Sequence, residues 1–150
     1  MNTLDFITQK YRLKVGNQPI VAIPNIGRAN LAQLFAGLKF KRGAEIGVDL
    51  GIYSEILLKA NPKLHLYSID PWKVSAYEPD IVGVDYHQKY FDEHYRASKK
   101  RLAPYDCQII RQTSMDAVVK FADESLDFVY IDGNHDFVHV TTDLHEWAKK

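Results

Sequence analysis

The chain is nearly devoid of cysteine. Cys107 stands alone among 150 residues, which excludes an intramolecular disulfide and any zinc site built from several thiolates. Its surroundings read as a half-buried strand rather than a nucleophile's setting. A surplus of charge is missing too. The 19 Lys and Arg balance 19 Asp and Glu, so there is no basic excess for wrapping duplex nucleic acid. No uninterrupted apolar run approaches the roughly 18 residues of a membrane span. The opening segment MNTLDFITQKYRLKVG lacks the apolar core of a signal peptide. The expectation is a cytoplasmic protein without a membrane or nucleic-acid partner. Internal repeats, low-complexity tracts and long charge blocks are absent as well. What is present suits one globular domain: 46% hydrophobic and 25% charged residues, in a chain long enough to bury a core without staples.

Two apolar-periodic stretches come first. Leu4, Ile7 and Tyr11 fit one face of a short helix. After the breakers Gly16, Asn17, Pro19 and Pro24, the segment Ile26–Phe40 reads as a second helix with Leu31, Leu34, Phe35 and Leu38 on one face. Residues 1–42 are therefore expected to form an N-terminal helical cap, which could also support a homo-oligomer. From residue 43 to 150 strands and helices alternate. Strands are expected over Ala44–Val48, Leu64–Ile69, Cys107–Arg111 and Leu126–Ile131. Helices are expected over Ile52–Ala60, with Ile52, Ile56 and Leu57 inward, and over Asp85–Leu102, with Tyr86, Tyr90, Phe91, Tyr95 and Leu102 inward. Two more are expected over Ser114–Phe121 and from Phe137 to Lys150. Lys73–Val84 reads as a loop. Such alternation implies right-handed crossovers and a parallel, doubly wound α/β sheet. Ligands in these sheets bind beyond the C-terminal strand ends, where strand order reverses. The residues there are the Gly47–Asp49–Gly51 turn, Asp70, Ser114 and Asp132.

The turn reads Glu45-Ile46-Gly47-Val48-Asp49-Leu50-Gly51. Glycines at 47 and 51 let the backbone turn sharply and approach a ligand. A dinucleotide fold needs Gly-x-Gly-x-x-Gly to seat pyrophosphate on the helix N-terminus. Counted from Gly47, its second and third glycines are Asp49 and Ile52, and an aspartate there repels phosphate. This points away from NAD and toward a nucleoside without phosphates. Asp70 follows Gly51 by nineteen residues, near the distance at which an acid accepts both ribose hydroxyls. The fourth strand ends in Ile131-Asp132-Gly133-Asn134-His135, followed by Asp136, Phe137 and a helix containing Asp143, Leu144 and Trp147. A ligand-free turn, a strand-end aspartate and a loop histidine are the structural alternatives to these three readings.

Together EIGVDLG, Asp70 and IDGNH resemble class I S-adenosylmethionine-dependent methyltransferases. The branch they resemble is family 24, which includes macrocin O-methyltransferase-like enzymes. The resemblance covers roughly Gly43 to Lys150. It implies a Rossmann-like fold and a methyltransferase acting on a small hydroxylated acceptor such as a sugar or secondary metabolite. It also implies that Gly47 and Gly51 underlie the methionine part of S-adenosylmethionine. Glu45 supports the loop or reaches the amino group through water, and Asp70 takes the ribose. Trp72, Ser114 and Met115 are implied at the adenine, with a core tryptophan as the equal alternative for Trp72. His135 becomes the general base and Asp132 the ligand of a divalent metal such as Mg²⁺. The chemistry is coherent. Methyl transfer from a sulfonium needs little acid catalysis, but a neutral hydroxyl must lose its proton, and an imidazole can accept it. A metal would lower the hydroxyl pKa, although one carboxylate cannot hold Mg²⁺ alone.

The family implies seven strands, so the fold is expected to be truncated after its fourth, leaving that strand an open edge. A non-catalytic nucleoside-binding or oligomerisation module is the reading from another class. An NAD-dependent oxidoreductase is a third.

Overall fold

Strand side chains alternate between two faces, and that alternation decides which helices each face receives. A computed structural model describes residues 2–17, 20–74 and 87–150. Their elements are α1 (Thr3–Tyr11), α2 (Arg28–Gly37), β1 (Arg42–Ile46), α3 (Ile52–Ala60) and β2 (His65–Ile69). These are followed by α4 (Gln88–Leu102), β3 (Cys107–Ile110), α5 (Ser114–Val118), β4 (Phe128–Ile131) and α6 (Phe137–Trp147). The Asp85–Tyr86 start expected for α4 and most of the loop before it lie outside the described residues. Ala44, Ile46 and Ile69 pack with Ala117, Val118, Phe121 and Trp147, so α5 and α6 cover one face. Leu66 packs on the other face with Tyr53, Leu57, Leu58 and Leu102 of α3 and α4, joined by Ala32 of α2.

All three strand pairings are parallel, and the order is β3-β2-β1-β4. The chain steps outward from β1 to β3, then returns to the other side of β1. Strand order therefore reverses between β1 and β4, in a Rossmann-like doubly wound sheet. Among the described residues β4 pairs with β1 alone, and no helix is long and apolar enough to cross a membrane.

α2 is held against the sheet by aromatic rings. Phe35 of α2 stacks on Phe128 of β4 at 4.2 Å between centroids, and Phe40 joins them at 6.0 Å from Phe128. Asn2 caps α1 by accepting from the Asp5 N–H at 2.8 Å.

Two expected helix faces need correction. Ile52 is 51% exposed, and α3 instead buries Tyr53, Ser54, Leu57 and Leu58. Ile52 is the first residue after the left-handed Gly51, so it stands at the rim above the sheet. In α4 only Ser98 and Leu102 are buried, and Tyr90 is exposed. α2 begins at Arg28 rather than Ile26, because the Asn30 side chain accepts from the Gly27 N–H at 3.0 Å and starts the helix there.

Gly43 leaves the space that Phe128 fills: a Cβ at 43 would sit 2.2 Å from its ring. Gly43→Ala is expected to destabilise the fold by about 1–3 kcal/mol, the usual range for overpacking. In a Phe128→Ala background the same change should cost much less. Chemical denaturation of the four-member cycle checks this, and additive effects would show that the ring is not the obstacle.

Candidate functional site

The ends of β1 and β4 meet without room for a side chain. Gly47 adopts φ +87°, and a Cβ there would lie 2.2 Å from the Asp132 carbonyl oxygen and 2.7 Å from Gly133 Cα. The Asp132 N–H donates to the Ile46 carbonyl at 2.7 Å, and the Gly47 N–H to the Ile69 carbonyl at 2.9 Å. The protein's own backbone therefore demands this glycine, before any ligand is considered. Gly51, at φ +71°, opens α3 where a Cβ would press on Ser98 and Leu102 of α4.

Asp70 holds the turn between those glycines. Its Oδ2 accepts from the backbone N–H groups of Val48 and Asp49 at 2.9 and 3.0 Å, and its Oδ1 from that of Trp72 at 2.7 Å. Charge-assisted bonds of this kind are the stronger class. Trp72 is only 1% exposed. Its indole N–H donates to the Asp49 carbonyl at 2.9 Å, and its ring lies 5.0 Å from that of Tyr95. The ring thus sits beneath the turn, not open in a stacking position. α4 adds its own ties. His94 Nδ1 pairs with the Asp49 carboxylate, and the Gln88 amide donates to the Trp72 carbonyl at 2.9 Å. Arg111 donates to that carbonyl at 3.0 Å and pairs with Asp92. Sequence reasoning missed His94 and Arg111, whose partners lie far along the chain and leave no spacing signal.

Glu45 alternates with Ala44 and Ile46, so it points into the α3 layer and is 1% exposed. The Ser54 hydroxyl donates to its carboxyl group, Ser54 and Ser68 lie 3.1 Å apart, and Ser68 reaches Cys107 Sγ at 3.3 Å. Burial pushes the Glu45 pKa up to about 8 against the lowering effect of the Ser54 bond, and the charges of Asp132 and Asp70 push the same way. Glu45 is therefore mostly neutral at pH 7. Burial also pushes the Cys107 thiol up, the setting of an unreactive cysteine.

Ser114 and Met115 follow β3 as expected. The Ser114 hydroxyl, however, donates to the Asp143 carboxylate and accepts from the Trp147 indole N–H at 2.7 Å, locking α5 to α6. Met115 packs against the α5–α6 side of the core.

Asp132 follows β4 at the point where strand order reverses. Its Oδ2 accepts from Arg28 Nη2 at 2.6 Å, and its Oδ1 lies 3.5 Å from His135 Nε2. The His135 side chain is 76% exposed. Asp136 caps α6 by accepting from the His139 N–H at 2.9 Å and pairs with that imidazole at 2.6 Å. Among the described residues no three His, Cys, Asp or Glu side chains gather as a metal site.

Comparison with known proteins agrees with this architecture. Residues 44–150 match the family 24 profile described as "Methyltransferase domain". Three solved structures share the fold. TomG from Streptomyces achromogenes, an O-methyltransferase of tomaymycin synthesis solved with SAM, is 18% identical with a TM-score of 0.54. The match covers 95% of this chain and 59% of that one. A Bacillus cereus O-methyltransferase solved with SAH is 14% identical with a TM-score of 0.55, covering 95% of this chain and 60% of that one. Cofactor-bound Rv0187 from MTB is 16% identical with a TM-score of 0.55, covering 96% and 58%. The chain thus spans about three-fifths of their length. No curated protein sequence matches it.

The neutral Glu45 has a measurable consequence. Above its ordinary pKa of 4.5 the unfolded chain releases this proton, while the folded chain keeps it up to about 8. Glu45 therefore lowers stability progressively as pH rises through that window, by up to about 1.4 kcal/mol per pH unit. Glu45→Gln removes the titrating group. Its stability advantage over the parent should widen between pH 5 and pH 8 in denaturant unfolding, and a constant difference would contradict a neutral buried carboxyl.

Proposed function

The chain belongs to family 24 of methyltransferase domains, and on that premise we propose that it binds S-adenosylmethionine beyond the ends of β1 and β2. We further propose that it methylates a hydroxyl of a small acceptor such as a sugar or secondary metabolite. The observation that carries this is the Asp70 carboxylate, which organises the Gly47–Gly51 turn through three backbone N–H groups. Oδ1 takes only one of the three, which leaves it lone-pair capacity for a ribose hydroxyl. Asp49 and Asp70 side by side disfavour pyrophosphate and suit a ligand without phosphates. Balanced charge over the chain supports a small acceptor over a nucleic acid.

In this reading Gly47 and Gly51 lie under the methionine portion. Glu45 acts indirectly, bracing β1 against α3 through Ser54. The adenine is assigned to the region of Trp72, Ser114 and Met115, which follow β2 and β3. Trp72 would serve there by shaping the floor, since its ring is covered. When bound, S-adenosylmethionine supplies an electrophilic methyl group on a sulfonium. His135 accepts the proton that the acceptor hydroxyl loses, and Asp132, 3.5 Å from its Nε2, favours the resulting imidazolium. The Mg²⁺ that the family resemblance allows at Asp132 does not fit the donors present, because Arg28 already holds that carboxylate. No step depends on it.

Calorimetric titration with S-adenosylhomocysteine, with NAD as control, tests the proposal. Selective binding of S-adenosylhomocysteine is expected. Asp70→Ala should weaken it by tenfold or more in a chain whose far-ultraviolet circular dichroism is unchanged; undiminished affinity in that variant would remove Asp70 from the site. His135→Ala should leave this affinity within about twofold. With an acceptor in hand, it should lower turnover by roughly 10²- to 10⁴-fold. Normal turnover would take histidine out of the mechanism.

A further inference from the structure

The cation that pairs with Asp132 comes from a segment that the family match does not cover. Arg28 opens α2, 104 positions before its partner, with Nη2 2.6 Å from Asp132 Oδ2. The contact is anchored at both ends of the arginine. The Tyr53 hydroxyl donates to the Arg28 carbonyl oxygen at 3.2 Å, and the guanidinium carbon lies 5.6 Å from the Tyr53 ring centroid. The Tyr53 ring in turn packs on Tyr130 of β4 at 4.5 Å.

Among the described residues the neighbouring oxygen donors are committed elsewhere. Asp132, Asn134 and Asp136 alternate along the segment, a spacing that could wrap a divalent cation. Yet the Asn134 side-chain oxygen accepts from the Asp136 N–H at 2.9 Å, and Asp136 serves the cap of α6 and His139. Glu45 is enclosed with Ser54. Mg²⁺ and Mn²⁺ take about six ligands, mostly oxygens, and repel a guanidinium seated on the same carboxylate.

We propose that Arg28 is the resident counter-ion of Asp132, so that a side-chain cation from the N-terminal cap stands where the fold's acceptor side would otherwise recruit a divalent metal. Arg28 is then a positioning residue. By taking Oδ2 it leaves Oδ1 turned toward His135, 3.5 Å away. This role rests on the methyl-transfer reading of the crevice, but its test does not use the cofactor, so either can fail alone.

The test has two readouts on the full chain. Electron paramagnetic resonance follows the loss of free Mn²⁺ signal on titration of the parent, Arg28→Ala and Asp132→Asn. The parent should show no Mn²⁺ uptake that Asp132→Asn removes. Denaturant unfolding of the parent, both single variants and the double variant should be non-additive. Once either partner is gone, losing the other should change the unfolding equilibrium on the order of twofold to fivefold less than it does in the parent. Stoichiometric Mn²⁺ binding by the parent that disappears in Asp132→Asn would overturn the proposal. Strictly additive unfolding effects would overturn it too, since they would mean that the pair does not interact in solution.

Discussion

The crevice depends on the approach of two backbones at Gly47. β1 and β4 are hydrogen-bonded neighbours, and beyond their last pair the two chains must part in opposite senses, one into α3 and the other toward α6. They do so in contact. The Asp132 N–H reaches the Ile46 carbonyl, and the Asp132 carbonyl passes through the volume that a Cβ at 47 would occupy. Any side chain there would push the two strand ends apart and break the pairing that sets the height of Asp132 above the sheet. A glycine that reads in the sequence as a ligand contact is thus first a packing requirement. The two roles agree, because bare backbone at a strand end is also what a closely held ligand needs.

From that point Asp70 carries the geometry across to β2. Its carboxylate gathers three amides from two loops, so the Val48–Asp49 turn and the Pro71–Trp72 exit are set by one side chain. The indole of Trp72 returns the bond to the Asp49 carbonyl. α4 closes the assembly from the side through His94 and Gln88, and Arg111, just after β3, joins it by pairing with Asp92 of α4. Loss of Asp70 would therefore disturb the shape of the turn as well as remove an acceptor, which is why affinity has to be read beside a measure of fold.

Much of this was legible in the sequence, and what was not has a common cause. β2, α3 and the order of alternation could be read because short apolar runs and Gly/Pro breaks are local signals. The strand-end position of Asp70 and Asp132 followed from that order. On α3, Leu57 and Ile56 face inward as their apolarity suggests, but Ile52 stands exposed, because the geometry of the Gly51 cap turns Tyr53 and Ser54 inward instead. Ser54 is buried for Glu45's sake, and hydrophobicity alone cannot reveal a polar residue buried to satisfy another. For Trp72 the place after Asp70 leaves a ligand contact and a core ring equally open, and the bonds that tie Asp70 to the turn draw the ring beneath it. Arg28 was invisible. An arginine at a helix start has no local mark, and the carboxylate that gives it meaning is a hundred residues away.

The distribution of charge gives the strongest physical argument about the ligand. Among the carboxyl groups of the described residues around the crevice, the enclosed Glu45 is largely neutral, and Asp132 is balanced by Arg28. Asp49 and Asp70 remain at the turn. Among the described residues Asp49 pairs with an imidazole, and Asp70 accepts from backbone amides. A crevice so lined gives a poor reception to phosphate groups, whose charge it would oppose at short range. It suits a ligand that brings hydroxyl donors and a positive centre. A sulfonium nucleoside has both, and its demethylated product has lost the positive charge on sulfur. On the proposed reading, the electrostatic attraction for that centre is therefore greater before transfer than after it. Such a bias would help the spent nucleoside leave without any moving part.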